Sequence, residues 1–296
     1  MITILHHRSI GERIFDAFNI VFLLALSVLF IYPFWDLIVL SFTSPKYSDV
    51  LGLRLYPQEF TFAAYEALFN DNLMYTAYLN TIMRTVAGTF LILFTTFFAA
   101  CALAKRSLPL RNLITLLILL TLFFNGGLIP TYLNIRNLGL MDTLWALILP
   151  GMANAWYIIL MRNFLMSIPA ELEESGMIDG ANPLQIAVRI ILPLSKPIIA
   201  VAGLWGAVHH WNSWFDAMIY TRSQENYVLQ YLVQRIMMQE QMTSAGAGSL
   251  IEFTSATTSQ SLKAATIVAS ILPIIFVYPF VQKYFVKGIM IGSLKG

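Results

Sequence analysis

The sequence predicts an all-α membrane protein with six transmembrane helices, and three observations predict it. Charged residues make up 11% of the 296, against about 25% in an ordinary soluble domain. Hydrophobic residues make up 58%, and they gather in six long runs. A soluble chain of this size cannot hide so much apolar surface behind so few charges, so part of its solvent is lipid.

A hydrocarbon core about 30 Å thick needs roughly 20 apolar residues per helix, and the runs are 15–41, 80–104, 112–135, 144–161, 198–220 and 265–282. The first is much longer than the roughly 7–15 apolar residues of a secretory leader. No Ala-x-Ala site follows it before Pro45, so it is expected to stay as an anchor. The third is interrupted by Asn125-Gly126-Gly127 and Pro130. Such a break either lines a cavity or packs closely on a neighbour, and packing is the expectation. Pro273 and Pro279 in the sixth each remove a backbone hydrogen bond and should bend it.

Charge orients the runs. The segments 1–14, 105–111, 162–197 and 283–296 hold 11 Lys and Arg in 71 residues, whereas 42–79, 136–143 and 221–264 hold six in 90. The positive-inside rule then places both termini in the cytoplasm of a multi-pass protein. The organisation read from this is an anchor helix with a first outer loop (1–79), a transmembrane core with the loop 162–197 (80–282), and a cytoplasmic tail (283–296).

Other classes fall away. The net charge of +2, with no basic cluster longer than Lys105-Arg106, is too small to track phosphates, so nucleic acid is not expected as a partner. Cys101 is the single cysteine, which forbids an internal disulfide or a Cys-rich metal site and leaves a small packing residue.

The loop 162–197 is more than a connector. It reads Ser167-Ile168-Pro169-Ala170-Glu171-Leu172-Glu173-Glu174-Ser175-Gly176-Met177-Ile178-Asp179-Gly180-Ala181-Asn182-Pro183. Ser167 can cap a helix with Pro169 and Glu171 in its first turn, where the dipole favours acidic groups. Asp179-Gly180 should end that helix with a positive φ. A second helix over roughly Pro183 to Leu192 puts Ile186, Ile190 and Ile191 toward the membrane before Pro193 opens the fifth run. A lateral helix held between two spans is a handle on which a soluble partner can push.

These residues resemble the coupling-loop motif in membrane subunits of binding-protein-dependent ABC importers: Glu-Ala-Ala, three variable residues, Gly, then Ile-x-Leu-Pro. Here it stands as Glu174-Ser175-Gly176, Met177-Ile178-Asp179, Gly180-Ala181 and Ile190-Ile191-Leu192-Pro193. Ser-Gly replaces Ala-Ala, which keeps the small volume while Gly176 costs the helix roughly 1 kcal/mol relative to Ala. The likeness runs from about Asn80 to Lys295-Gly296. Within that family, Leu194-Ser195-Lys196-Pro197, Gly126-Gly127-Leu128-Ile129-Pro130-Thr131-Tyr132 and His210-Trp211-Asn212-Ser213-Trp214-Phe215-Asp216 are similar to the carbohydrate branch, the maltose-type permeases. They are closer still to the subgroup that takes up polysaccharide fragments, alginate-importer permeases included.

The resemblance implies a type I importer permease fold in the bacterial inner membrane. It also implies a second homologous permease, two cytoplasmic ATPase subunits and an extracytoplasmic solute-binding protein, with an oligosaccharide as substrate. The chain carries no Gly-x-x-x-x-Gly-Lys-Ser/Thr sequence. It is therefore expected to be a transport subunit with no catalytic residue, metal or cofactor of its own, the ATP and Mg lying on the partner ATPases. Glu173, Glu174, Ser175, Gly176, Asp179, Gly180 and Ala181 are the coupling candidates.

Intramembrane polar groups are costly and so are functional suspects. His209, Asn212 and Asp216 share one stripe of the fifth run, flanked by Trp211 and Trp214. They either line a sugar pathway or form an outer aromatic belt with interhelical bonds. Arg84 either contacts an acidic sugar or snorkels to the outer surface, with snorkelling favoured. Arg84, Asn125, His209, Trp211, Asn212 and Asp216 are the pathway candidates. Asp216 and His209 also fit a proton relay in a secondary transporter, and a non-transporting scaffold subunit is the third reading. The outer segment 221–264 should hold a helix with Leu229, Leu232, Val233 and Ile236 on one face, then either a flexible loop or a probe of the binding protein over 243–260. Lys283 and Lys287 should anchor the tail, and the resemblance implies an ATPase contact beyond them.

Overall fold

The computed structural model describes residues 10–50, 52–244 and 260–293. The helices in chain order are α1 Ile10–Ser41, α2 Ala63–Asn70, α3 Asn72–Ala104, α4 Arg111–Phe123, α5 Leu128–Asn137, α6 Trp145–Ile148, α7 Ala155–Leu165, α8 Glu171–Ile178, α9 Pro183–Ile186, α10 Leu192–Leu194, α11 Lys196–Asn212, α12 Phe215–Tyr220, α13 Leu229–Ser244 and α14 Gln260–Ser293. Among the described residues no strand forms, only an isolated bridge between Thr43 and Phe60.

The chain divides into two compact units, residues 1–70 with 249–269 and residues 71–248 with 270–296. In the first, α1 exposes Phe18, Val28, Leu29 and Phe30 along its length. The segment after α1 folds back on its end: Trp35 Nε1 donates to the Leu55 carbonyl at 3.0 Å, and Arg54 Nη2 donates to Ser48 O at 3.1 Å and Val50 O at 2.6 Å. Beside it the Phe42 and Phe60 rings stack, Phe62 meets both edge-on and Tyr65 tilts against Phe42.

In the second unit α3 is the mast. Asp71 caps it by accepting from Leu73 N at 2.9 Å, and its 33 residues rise about 50 Å at 1.5 Å each. Its buried face repeats at helical spacing through Ala77, Thr81, Arg84, Gly88, Ile92, Thr96 and Ala100. α11 packs along this face with its own small residues, Gly203 meeting Leu93 and Gly206 meeting Ile92 and Thr89. Toward the C-terminal end of α3 a core joins Phe97 and Ala100 to Met161 and Leu165 of α7, Ile186, Ile191, and Ala202 of α11.

Among the described residues, three helices are long and apolar enough to cross a membrane, α1, α3 and residues Gln260–Val277 of α14, or up to five if each of two bent helix pairs is one span. Three of the six expected spans are not single helices. Span 112–135 is α4 and α5, bent by 111° where Asn125 Oδ1 accepts from Gly127 N at 2.8 Å and Gly127 takes φ +85°. Among the described residues, chain neighbours aside, nothing lies within 4 Å of a Cβ built on Gly127, and its positive φ is what favours glycine there. Span 144–161 is α6, a turn through Pro150 and Gly151, and α7, whose first N–H groups go to Asn154 Oδ1, 2.9 Å from Trp156 N. Span 198–220 breaks at Ser213-Trp214. The fifth run also starts later than Pro193: Pro183–Leu194 and α11 meet at 81°, because Ser195 leaves the helical path and Pro197 suits the first turn of α11. In the sixth run α14 continues helically through Pro273 and Pro279.

α13 forms as its spacing predicts, with Leu229, Leu232, Val233 and Ile236 all buried. Residues 245–259 and 294–296, and the side chains of Lys283 and Lys287, lie outside the described structure, so the loop and tail expectations fall there.

Candidate coupling handle and translocation face

α8 is short and exposed on one side. Its N-terminal residue is preceded by Ala170, which makes no capping bond. Ser167 does not cap it, contrary to the sequence expectation, because its hydroxyl turns back to the Phe164 carbonyl at 2.7 Å and closes α7 instead. The other end matches the motif's geometry. Ala181 N donates to Gly176 O at 3.0 Å and Gly180 N to Met177 O at 3.0 Å, with Gly180 at φ +80°. That is a Schellman ending, which needs a left-handed residue at the position of Gly180.

The chain then re-enters a helix through a capping box the sequence reading missed. Asn182 Oδ1 accepts from Gln185 N, and Gln185 Oε1 accepts from Asn182 N, both at 2.9 Å. The signal was there in Asn-Pro-x-Gln spacing. α9, a π-helical turn over Ala187–Ile191 and α10 make one lateral body.

Gly176 explains the small-residue motif. A Cβ there would lie 2.8 Å from Ile190 Cδ1 and 3.3 Å from Ile186 Cγ1, so α8 rests directly on the lateral body. Ile186 and Ile191 plug that body into α3, α7 and α11. Ala181 is part of the same packing, whereas Glu174, Ser175, Asp179 and Gly180 are exposed and Glu173 is half-buried. The free side of the handle carries Ile178, 86% exposed, with Met177 and Leu184. The same short helix carries Glu171, Glu173 and Glu174 in its first turn.

The other candidates lie near the opposite end of α3. From Thr81 to Ala100 the helix rises about 29 Å, close to the thickness of the hydrocarbon core. Arg84 does not snorkel: its side chain is 1% exposed. Nη1 donates to the Ser213 carbonyl at 2.9 Å and Nη2 bonds to Asp216 Oδ2. Trp211 is buried too, donating Nε1 to the Ser270 carbonyl at 3.0 Å and meeting Tyr78 edge-on. His209 and Asn212 are exposed, the latter bonding back to Val208 O at 3.0 Å. Asn125 is exposed at the α4–α5 break. The structure therefore joins Arg84 with Asp216, keeps His209 beside Asn212 on an open face, and leaves Asn125 apart.

His210 is not among the pathway candidates read from sequence. It is 1% exposed, and a Cβ on Gly88 would lie 2.3 Å from its Nε2. The four-residue spacing of Ala202, Gly206 and His210 would have marked it as inward-facing.

A second missed residue is Asp142, at φ 59°. The Ser223 hydroxyl donates to one oxygen of its carboxylate, and Arg222 N and Ser223 N donate to the other at 2.8 and 2.9 Å. The Ser223 hydroxyl first, then these two N–H groups and Asn226, hold its carboxyl well below the usual carboxylate range. A lowered folded value means the clasp stabilises at neutral pH and is lost as pH falls below about 4 toward that value. Asp142→Ala is expected to leave the protein folded while speeding hydrogen exchange across 221–228, measured by mass spectrometry.

No family model matches the chain, but full-length relatives do. It is 39% identical to Protein LplC of Bacillus subtilis (strain 168) over 290 residues, covering 98% of each chain. It is 37% identical to the polygalacturonan/rhamnogalacturonan transport system permease protein YtcP of the same organism, covering 96% of this chain and 99% of that one. Among solved structures, a bacterial ABC transporter involved in import of the acidic polysaccharide alginate matches with TM-score 0.83 and 35% identity, over 94% of this chain and 99% of that one. The chain belongs to the membrane permease subunits of binding-protein-dependent sugar ABC importers. Its fold is the helical importer-permease fold. That membership decides against the secondary transporter and the non-transporting scaffold.

Proposed function

We propose that this chain is one of two permease subunits lining an importer for acidic oligosaccharides in the bacterial inner membrane, with both termini cytoplasmic. α8 is the handle docked by a cytoplasmic ATPase, through Glu173, Glu174, Ser175, Gly176, Asp179, Gly180 and Ala181. The observation that carries the reading is α8 itself, exposed and apolar on one side and seated through Gly176 on a body plugged into three helices. A push on α8 reaches α3, α7 and α11 together, because packed cores do not absorb displacement.

Two relatives support the acidic substrate. One is named for polygalacturonan transport and the other for alginate import, and both polymers are built of uronates. The pathway face is that of His209 and Asn212, with Asn125 at the exposed break; Trp211, Arg84 and Asp216 stand behind it. ATP and Mg belong to the ATPase partners, and an extracytoplasmic binding protein delivers the sugar. The test is uptake by the complete complex, with its binding protein, in proteoliposomes. ATP-dependent uptake of oligogalacturonate or oligoalginate, above that of a neutral malto-oligosaccharide, is expected. Uptake of the neutral sugar alone would overturn the acidic reading, and uptake without ATP would overturn the importer mechanism.

A further inference from the structure

Breaking a helix inside a bilayer frees backbone groups that no water can satisfy. The break in the fifth span frees the end of α11 and the start of α12, and a single side chain from another helix meets it. Arg84 gives Nη1 to the Ser213 carbonyl at 2.9 Å and Nη2 to Asp216 Oδ2. The second oxygen of Asp216 accepts from Ser213 Oγ at 3.2 Å and Ala217 N at 2.9 Å. The guanidinium charge also sits at the C-terminal end of the 17-residue α11, where the helix dipole favours a cation.

The same face of α3 holds the segment that leads from α12 into α13. Asn80 Nδ2 donates to the carbonyls of Glu225 at 2.6 Å and Tyr227 at 2.9 Å, and Leu229 N donates to Thr81 Oγ1 at 2.8 Å. Tyr220 O accepts from Asp142 N at 2.8 Å. Asn80, Thr81 and Arg84 thus pin the stretch 213–229 over little more than one turn of α3.

We propose that Arg84 and Asp216 are positioning residues for transport rather than sugar contacts. The pair, Arg84 buried and Asp216 half-buried, holds the break of the fifth span and fixes α12, with the loop after it, to the N-terminal half of α3. When α3 moves at its far end, through the core beneath α8, α12 and the start of α13 move with it as one body. Resting on the permease reading above, this names the part that carries motion from the handle to the opposite end of the pathway.

The experiment is hydrogen exchange of the assembled complex in lipid nanodiscs, with Arg84→Gln, Asp216→Asn and their double variant. Each single variant is expected to speed exchange over 213–221 by about tenfold or more, as local opening does, with residues 97–103 unchanged. The double variant should be no faster than either single, since the two act as one pair. Arg84→Lys, which keeps the charge but not the two-pronged reach, should fall between. Basal ATP hydrolysis should persist while its stimulation by the binding protein is lost. Wild-type exchange over 213–221 in Arg84→Gln, additive single effects, or stimulation retained in both singles would overturn the proposal. Should a single variant fail to assemble, the double variant leaves no lone buried charge, and its exchange over 213–221 decides. Exchange reads the pair whether or not an ATPase binds, so a missing ATPase would sink the permease reading alone.

Discussion

Gly88→Ala is expected to destabilise the protein by about 1–3 kcal/mol, the usual cost of forcing atoms into a packed interior. The new methyl carbon would sit 2.3 Å from His210 Nε2 and 2.6 Å from Cδ2 and Cε1. A flexible chain end could swing aside, but a ring cannot. The imidazole is 1% exposed and lies close to Gly151 as well, whose Cβ would come within 3.8 Å of Cε1. α3 and α11 must separate, which also loosens Gly203 from Leu93 and Gly206 from Ile92 and Thr89. Thermal unfolding of the purified complex reads the loss, and His210→Ala should relieve it, the double variant being more stable than additivity allows. Gly88→Ala with wild-type stability would mean that the two helices do not approach this closely.

The second large effect is Gly176→Leu. Its Cβ alone would stand 2.8 Å from Ile190 Cδ1, and three further carbons must enter the same seam, so α8 lifts from the lateral body. Ile191, which the new side chain does not meet, still seats the lateral body on α3 and α7. At about 1–3 kcal/mol, ATPase affinity should fall roughly 10- to 100-fold, measured by titrating the ATPase onto the nanodisc-held permeases. Gly176→Ala is the contrast. The contacting Ile190 methyl can move, and the helix gains roughly 1 kcal/mol of propensity, so affinity should stay near wild type. Equal losses for Ala and Leu would show that the seam is not what holds α8.

What could be read from sequence and what could not divides along physical lines. Apolar length, loop charge and helical spacing are local properties. They located α1, α3, α13 and, in loop 162–197, the short helix that ends at the positive φ of Gly180. The breaks were harder, because an apolar run through Pro150-Gly151 or Ser213-Trp214 has the hydropathy of a continuous span. What meets the second break is Arg84, 132 positions away from Asp216. No spacing rule links residues so distant, so Arg84 read alone looked like a charge seeking water when it was a charge already paired. Trp211 misled in the same way, its aromatic face suggesting sugar while its N–H is committed to the Ser270 carbonyl. His210 was legible from the period of its own helix, but its meaning depended on Gly88 of another.

The central claim is that α8 is the surface an ATPase grips. Ile178 is its most exposed apolar residue, at 86%, and Cys101 is the single native cysteine to remove. In a Cys101→Ala background, Ile178→Cys carrying a short photo-crosslinker should join this chain to the ATPase subunit in the intact complex, while the same probe on exposed Met83 of α3 should not. An intact, ATP-hydrolysing complex in which Ile178→Cys gives no ATPase adduct would contradict the account.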